Sequence, residues 1–369
     1  MDKSRRLFLG KSAAALAGVT LLPSVITSCS GAAEKAAPVA PSDGKPNSNF
    51  AGVAIGAITY SWRSMPGGLE NLINYCKQAN ISNLELMGND LETALGAPEN
   101  PMMRIMQAAM AAQRPAAPAG GPGGPGGQRP GGAPAGGGFR RPSFTPEQQA
   151  EIDKYNEDFK NFRKNMDWDK VESVRQRFAD EGIAIHIVKT QPSNNSTEEE
   201  IDYAFKLAKA MGAIGVTAEM TMESAKAIAP YAEKYDMYYI MHNHMQYATE
   251  EFSAGPDELL AISPKIMLNF DQGHYFGSTG KHPVDFIKKY KDRIISMHMK
   301  DKTGPNAAEP NANQVWGQGE TPLEDVFCYI RDEKLPIFCD IELEYDVKPW
   351  SNAVKEVGTC VKYARQILM

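Results

Sequence analysis

The sequence predicts a closed (β/α)8 barrel, and three observations support this prediction. Eight short, mostly apolar runs alternate with eight helix-like segments from residue 53 onward, which is the element count of such a barrel. Polar residues follow the ends of several runs, and the strand ends of a parallel barrel converge on one mouth. The 369 residues, 42% of them hydrophobic, are enough for one barrel of roughly 250 residues with insertions. An open doubly wound sheet is the alternative, but no GxGxxG motif follows the first run.

The individual elements are predicted from apolar periodicity and from helix-start signals. Proline follows Thr321 and His282, where the first turn of a helix tolerates it. The strands are predicted at residues 53–60, 83–87, 183–189, 214–219, 237–242, 266–270, 294–299 and 336–341. The helices that follow them are predicted at residues 69–78, 169–180, 198–211, 222–235, 256–262, 283–290, 322–333 and 353–367.

The N-terminal region has the pattern of an export signal followed by a lipid anchor. The pair Arg5-Arg6 resembles a twin-arginine signal, and the apolar stretch at 13–26 is too short for a good membrane span. The stretch runs into "ITSC", which resembles a bacterial lipobox with Cys29 as the acylated residue. We therefore expect residues 1–28 to be a signal peptide. The protein is then a membrane-anchored lipoprotein that faces the periplasm or the cell surface.

Two stretches of biased composition are predicted to lie outside the barrel core. Residues 29–50 are rich in Ala, Pro and Ser and are predicted to be a flexible tether before a barrel domain at 51–369. Residues 115–138 are nearly all Gly, Pro, Ala and Gln, so we expect a disordered loop tip there. Its flanks have helical character, and the whole of 97–165 is therefore predicted to be an insertion after the second strand.

Charge and cysteine content exclude several classes of function. A net charge of −6 provides no basic field for nucleic acid, so no nucleic-acid partner is expected. The five cysteines form no CxxC pair and no zinc-type spacing, and the four that follow Cys29 are predicted to be small buried hydrophobic residues. Iron–sulfur and copper–thiolate sites are excluded because the cysteines are not clustered.

Polar residues at the ends of four runs form a candidate metal-binding set. Carboxylates and imidazole together make a hard oxygen and nitrogen site, which suits one divalent ion such as Mn²⁺, Mg²⁺, Co²⁺ or Zn²⁺. At the end of another run, His242 and His244 share one strand face because strand side chains alternate with a period of two. The four residues of the set are Glu219, Asp271, His298 and Glu342.

Each of these positions also has a purely structural interpretation. Glu219 could be a solvated charge at the start of a helix, and Asp271 could cap a loop. His298 could be a hydrogen-bonded core histidine. Three carboxylates share one face of the eighth run, and we expect the last of them, Glu344, to lie in water past the strand end.

The order of these motifs resembles the xylose-isomerase-like sugar phosphate isomerase/epimerase family. The resemblance rests on "HNH" at 242–244, "HMKD" at 298–301 and "WGQGETPLEDV" from Trp316, and it covers 53–369 apart from the Gly/Pro-rich insertion. Many members have their first glutamate on the fifth strand, where this chain has His242, and dehydratase-like relatives have it on the fourth. The resemblance implies a TIM barrel with one divalent ion at its mouth, bound by Glu219, Asp271, His298 and Glu342.

A site of this kind predicts an isomerase or epimerase that acts on a sugar or keto-sugar through an enediolate. One group removes the proton next to a carbonyl, and a second group returns it. The predicted catalytic residues are Glu219 and Glu342 as base and acid, with His244 and Lys300 as further candidates. The predicted substrate-binding residues are His186, His242, His274, Trp62 and Trp316, the two tryptophans as apolar walls, with core packing as their alternative.

Three classes of function remain open from the sequence. The first is the isomerase or epimerase, and the second is a metal-dependent lyase or hydrolase, including a dehydratase, that eliminates a group beta to a carbonyl. The third is a non-catalytic sugar-binding lipoprotein. The presence of both Glu219 and Glu342 favours an enzyme, because a binding protein needs no proton-transfer pair. The expected partners are a small carbohydrate and, through the lipid anchor, the membrane, whereas no oligomeric state is predicted.

Overall fold

The structure is a computed structural model that describes residues 44–112, 144–250 and 252–369. The expected signal peptide, the expected lipidation site Cys29, most of the tether and the Gly/Pro-rich segment 115–138 lie outside the described residues. Among the helices that are described, none combines the length and the apolar character needed to cross a bilayer.

Eight parallel strands close into a barrel in the described part of the chain. They are β1 Val53–Ile58, β2 Asn83–Met87, β3 Ala184–Lys189, β4 Gly215–Ala218, β5 Tyr238–His242, β6 Ile266–Asp271, β7 Ile294–Met299 and β8 Phe338–Ile341. Each strand pairs with its neighbours in chain order, and β8 pairs with β1 to close the sheet. The predicted (β/α)8 barrel is confirmed.

Helices alternate with these strands and bury apolar faces, as amphipathic helices on a barrel do. The first six described helices are α1 Leu69–Ala79, α2 Gly88–Leu95, α3 Met102–Ala112, α4 Pro146–Lys164, α5 Trp168–Asp180 and α6 Glu198–Ala210. The next six are α7 Met222–Tyr235, α8 Asp257–Leu260, α9 Gln272–Thr279, α10 Pro283–Tyr290, α11 Leu323–Asp332 and α12 Ala353–Leu368.

The strands lie where the sequence predicts them, with ends that differ by at most two residues. β1 ends early because a short 3-10 turn, Thr59–Trp62, follows it. The sequence interpretation missed α2, which begins directly after β2. Its first residue, Gly88, allows close packing, because a Cβ at this position would lie 3.0 Å from the carbonyl oxygen of Lys189.

The described part of the insertion packs against the barrel's helical layer. α4 begins with a capping box, in which Thr145 and Gln148 satisfy each other's backbone amides. At the other end of α4, Arg163 donates two hydrogen bonds to Glu92 on α2, at 2.7 and 3.2 Å. Glu92 is buried, so this ion pair fixes α4 to α2.

The inner face of the barrel changes from apolar to polar along the strands. Ile187, Ile240, Met267 and Ile295 form a small apolar cluster separate from the main core. Ile240 shares a strand face with His242, which ends β5, because strand side chains alternate. The apolar cluster therefore lies on the same inner face as the polar residues of the mouth.

Candidate metal and active site

The mouth of the barrel brings four ligand-type side chains into one group. One donor atom from each residue lies within 4.8 Å of the others. Three of the residues are 0% exposed and the fourth is 5% exposed. Three strands and the segment after β8 supply the group, which consists of His242, Asp271, His298 and Glu342.

Unsatisfied buried atoms in this group fit a bound cation. Both ring nitrogens of His242 and the Oδ2 atom of Asp271 are buried and lack a hydrogen-bond partner among the described residues. An unmet buried polar atom costs about 1–3 kcal/mol, which a metal ligand bond would remove. Burial, assisted by the charges of Lys189 and His298, holds the pKa of His242 well below its ordinary value. His242 is therefore a neutral imidazole with a lone pair to donate.

Asp271 combines two roles that the sequence presented as alternatives. Its Oδ1 atom accepts a hydrogen bond from the backbone N–H of His274 at 2.8 Å and so caps the start of α9. Its Oδ2 atom makes no hydrogen bond within the described residues and lies 2.8 Å from the Lys300 ammonium. Helix capping thus fixes the carboxylate with its second oxygen turned toward a cation, as a metal ligand requires.

Lys300 places an ammonium among three carboxylates at the mouth. Its Nζ atom lies 2.8 Å from Asp271 Oδ2, 2.6 Å from Glu342 Oε2 and 2.7 Å from Glu344 Oε2. Burial opposes the charge of Lys300, but the three carboxylates outweigh it and raise the pKa of the ammonium. The contact with Asp271 is a close ion pair, so a metal ion bound at Oδ2 would share that oxygen with the ammonium.

His298 lies between two carboxylates. Its Nδ1 atom is 2.7 Å from Glu342 Oε2, and its Nε2 atom is 2.8 Å from Glu85 Oε2. Burial disfavours the charged ring, yet Glu342 and Glu85 together raise the pKa of His298 to about 10. When only these carboxylates surround it, the ring is an imidazolium.

A second group of titratable residues lies closer to solvent. Glu219 Oε1 is 3.8 Å from His244 Nε2, and the two side chains are 47% and 41% exposed. The ring of His244 lies 5.1 Å from that of His274, whose Nε2 atom is 3.5 Å from Glu344 Oε2. Burial lowers the pKa of His244, so its imidazole is neutral near pH 7 and able to accept a proton. These groups can reach a substrate that enters the mouth.

Known proteins with related sequences and folds include several sugar-converting enzymes. No family profile matches the chain. An inosose dehydratase of Histophilus somni (strain 129Pt) is 29% identical over 142 residues, which are 36% of this chain and 45% of that protein. The chain therefore spans less than half the length of this relative.

Two solved structures match most of the chain. A xylose isomerase domain protein of Alicyclobacillus acidocaldarius subsp. acidocaldarius matches with a TM-score of 0.53 and 10% identity, over 86% of this chain and 99% of that one. The fold is that of the xylose-isomerase-like TIM barrels. An L-ribulose 3-epimerase also matches, with a TM-score of 0.50 and 10% identity, over 86% of this chain and 95% of that one. At these identities the likeness concerns the fold.

The barrel places His242, and not Glu219, in the ligand group. β4 ends at Ala218, so Glu219 follows the strand and its side chain turns toward solvent. His242 is the last residue of β5 and lies on the inner face. The structure thus brings together Asp271, His298 and Glu342, three of the four ligands that the resemblance implied. The fourth member of the group is His242, which the sequence predicted to bind substrate.

The expectation that Glu344 lies in water is wrong. Its side chain is 20% exposed and pairs with Lys300 and His274. Although burial acts in the opposite direction, the hydrogen bond from His274 and the charge of Lys300 lower the pKa of Glu344 to about 2. These contacts keep the Glu344 side chain at the mouth.

Three predicted substrate-binding residues are packed inside the barrel fold. His186 is 4% exposed, and its Nε2 atom lies 2.8 Å from Asp340 Oδ2. Trp62 and Trp316 are 2% and 7% exposed and belong to the main hydrophobic core. The two tryptophans therefore do not form open walls for a sugar ring, because Trp62 packs against Tyr75 and Trp316 against Phe327 and Tyr363. Of the other two candidates, His274 remains at the mouth.

Sequence reasoning missed two charged residues on the inner face. Glu85 lies between Leu84 and Leu86 in "NLEL" on β2, and Lys189 ends "HIVK" on β3. They are 0% and 7% exposed. A charged residue inside an otherwise apolar strand run was the available signal, since burial of such a group is costly without a partner or a function.

Proposed function

We propose that this protein is a metal-dependent enzyme that transfers a proton at the carbon next to the carbonyl of a keto-sugar. The observation that carries the proposal is the buried group of two imidazoles and two carboxylates at the barrel mouth. His242, Asp271, His298 and Glu342 would hold a divalent ion such as Mn²⁺, Mg²⁺, Co²⁺ or Zn²⁺, which would polarise the carbonyl and its neighbouring hydroxyl and so acidify the hydrogen on the carbon that bears the hydroxyl.

Glu219 and His244 are the best placed residues to move this proton. Both are partly exposed and lie 3.8 Å apart at the mouth, so a substrate can reach them. Glu342 is less suited to act as a base: although burial acts the other way, Lys300 and His298 hold its pKa well below the ordinary value. A weakly basic carboxylate serves better as a ligand than as a proton acceptor.

Lys300 would hold a substrate oxygen on which negative charge develops. An ammonium has three protons to donate, and its position among three carboxylates fixes it at the mouth. Hydrogen bonds to a developing oxyanion are among the largest single contributions to catalysis, and loss of one costs about 10²–10³ in kcat. Lys300 is thus assigned a catalytic role without being the base.

Isomerisation or epimerisation results when the proton returns to the neighbouring carbon or to the same carbon. The fold shared with a xylose isomerase domain protein and with an L-ribulose 3-epimerase supports this outcome. Dehydration is the second candidate, and the 29% identity to an inosose dehydratase favours it. Dehydration begins with the same proton removal and ends with loss of a hydroxyl, as water, from the carbon beta to the carbonyl.

Incubation with pools of keto-sugars in deuterated water tests the proposal. The purified protein is loaded with each metal in turn, and Glu219→Gln serves as the matched variant with an intact ligand group. A product that carries deuterium on carbon and has not lost water indicates isomerisation or epimerisation. An unsaturated ketone indicates dehydration. Metal-loaded protein that binds sugars and exchanges no carbon-bound hydrogen would instead be a non-catalytic sugar-binding protein.

We propose further that the protein is exported and anchored by a lipid on Cys29. The twin arginine and the "ITSC" motif support this. Phosphorylated sugars are scarce outside the cytoplasm, which favours a free sugar as substrate. Cys29→Ser should move the protein from the membrane fraction to the soluble fraction and abolish incorporation of labelled fatty acid. Wild-type protein that is soluble and unlabelled would contradict the anchor.

A further inference from the structure

The inner face of β2 contributes a carboxylate that the four-residue ligand group does not include. Glu85 is 0% exposed. Its Oε1 atom accepts a hydrogen bond from Thr217 Oγ1 at 2.7 Å, and its Oε2 atom accepts one from Asn269 Nδ2 at 2.7 Å. Oε2 also lies 2.8 Å from His298 Nε2. The carboxylate is therefore held from three sides by residues of β4, β6 and β7.

The strand pairing near this carboxylate is irregular at two places, and both irregularities affect the direction of side chains. The pairing of β2 with β3 shifts register between Leu84 and Glu85. The pairing of β6 with β7 shifts register between Leu268 and Asn269. Such irregularities often lie beside active sites, where they redirect a side chain. Here the two residues at the shifts, Glu85 and Asn269, are hydrogen-bonded to each other across the barrel.

The two nitrogens of His298 face different partners. Nδ1 lies 2.7 Å from Glu342 Oε2, and Glu342 belongs to the ligand group. Nε2 contacts Glu85, which stands outside that group. A histidine that binds a metal almost always donates its other ring N–H to a carboxylate, a carbonyl or water, and this fixes its tautomer and its orientation. The arrangement leaves Nδ1 as the nitrogen directed at the metal ligands.

We propose that Glu85 is a positioning residue that accepts the Nε2–H of His298 and holds Nδ1 toward the metal. This inference rests on the metal site of the proposed function. Within the described residues, the Glu85 side chain hydrogen-bonds to Thr217, Asn269 and His298 and to none of the other three metal ligands. It acts through His298 alone, with Thr217 and Asn269 setting the direction of its two oxygens.

Lys189 supplies charge balance for this arrangement. A metal-bound His298 is neutral, so the buried Glu85 carboxylate then needs another positive charge nearby. Lys189 is 7% exposed. It ends β3, which pairs with the strand that carries Glu85, so it is placed to supply this charge.

Metal affinity of matched variants tests the proposal directly. Dissociation constants for Zn²⁺ and Mn²⁺ are measured by calorimetry on folded wild type, Glu85→Gln and Thr217→Val, with Glu92→Gln as the control, because Glu92 is an equally buried glutamate that pairs with Arg163 instead. Glu85→Gln should weaken metal binding about 10- to 100-fold, the usual effect of removing such a partner. Thr217→Val should weaken it less, and Glu92→Gln should leave it unchanged.

Each outcome of this experiment is decisive. A merely structural role for Glu85 would lower the unfolding temperature of Glu85→Gln but leave the metal dissociation constant of the folded protein unchanged, and that result overturns the proposal. If Glu85→Gln does not fold, Thr217→Val decides in the same way. Wild-type protein that binds no divalent metal would overturn the metal site itself, together with this proposal.

The protonation state of His298 gives an independent readout. Nitrogen NMR of the Zn²⁺-loaded protein should show a proton on Nε2 and none on Nδ1. A proton on Nδ1, with Nε2 bound to the metal, overturns the proposal even if the affinity of Glu85→Gln is reduced.

Discussion

Lys300 Nζ lies 2.6 Å from Glu342 Oε2, and it shares that oxygen with His298 Nδ1, which is 2.7 Å away. One carboxylate oxygen therefore serves two cationic groups in a site that is closed to solvent. A divalent ion bound by Glu342 competes with both for the same lone pairs. Metal binding and protonation of this site are opposed, and the stability of the protein depends on which cation balances the carboxylates.

The first prediction separates the two candidate ligand sets. His242→Ala should weaken metal binding by more than about 100-fold, because even the loss of an outer partner of a ligand costs about 10- to 100-fold. Glu219→Ala should leave the metal dissociation constant nearly unchanged, since that carboxylate is 47% exposed and outside the ligand group, while turnover falls. Calorimetric titration of both variants with Zn²⁺ measures this. If Glu219→Ala weakens metal binding more than His242→Ala does, Glu219 is the ligand, as the family resemblance implied.

The second prediction concerns Lys300. Lys300→Met leaves three neighbouring carboxylates without their buried cation, and breaking a buried ion pair from one side costs about 3–5 kcal/mol. We therefore expect the free energy of unfolding, measured in urea at neutral pH with a chelator present, to fall by about that amount. An added divalent metal should restore part of the loss. Lys288→Met is the control, because Lys288 is a surface residue, and its effect should stay within about 0.5 kcal/mol.

If metal-free Lys300→Met is as stable as the wild type, the three carboxylates around Lys300 are not all ionised at the same time. The ion pairs described between Lys300 and these carboxylates would then be contradicted.

The third prediction concerns pH. Burial opposes the charge of His298, but Glu342 and Glu85 raise its pKa to about 10 from an ordinary value of 6.5. The folded state thus binds this proton more tightly than the unfolded state does. The resulting stabilisation is fully present below pH 6.5 and is lost as pH rises through about 10. Urea unfolding of the metal-free protein should show a declining free energy across this range.

Saturating metal should remove this decline, because a metal-bound His298 carries no titrating proton in that window. Metal affinity should for the same reason rise with pH. His298→Gln gives the control curve, which should be flatter without metal. A metal-free wild type whose stability does not change between pH 7 and pH 10 would contradict the imidazolium.

The fourth prediction concerns the insertion. Deletion of 115–138 should change the free energy of unfolding little, because each doubling of a flexible loop costs only about 0.6 kcal/mol. Arg163→Met should lower the free energy of unfolding by more, about 1–3 kcal/mol, because the buried Glu92 carboxylate then lacks its hydrogen-bond donor. Thermal and urea unfolding of the two variants measure the difference. A deletion that destabilises more than Arg163→Met would mean that the segment packs against the barrel.

By itself the sequence determined the barrel and the neighbourhood of its site. Apolar runs and helical periodicity are local signals, and they were sufficient for all eight strands and for the barrel class. All four members of the ligand group lie within one residue of the end of a predicted run, so a reading of strand ends was able to find Asp271, His298 and Glu342. The two N-terminal motifs that support export and lipidation are local signals as well.

Only the tertiary structure decided which side chains meet at the mouth. The fourth strand ends at Ala218, one residue earlier than predicted, so Glu219 leaves the inner face. His242, the last residue of the fifth strand, stays on that face and joins the group. Glu85 and His298 are 213 residues apart in the chain yet 2.8 Å apart in space. No local pattern encodes a contact of that kind, because it depends on the closure of the barrel and on the register of strands that meet across it.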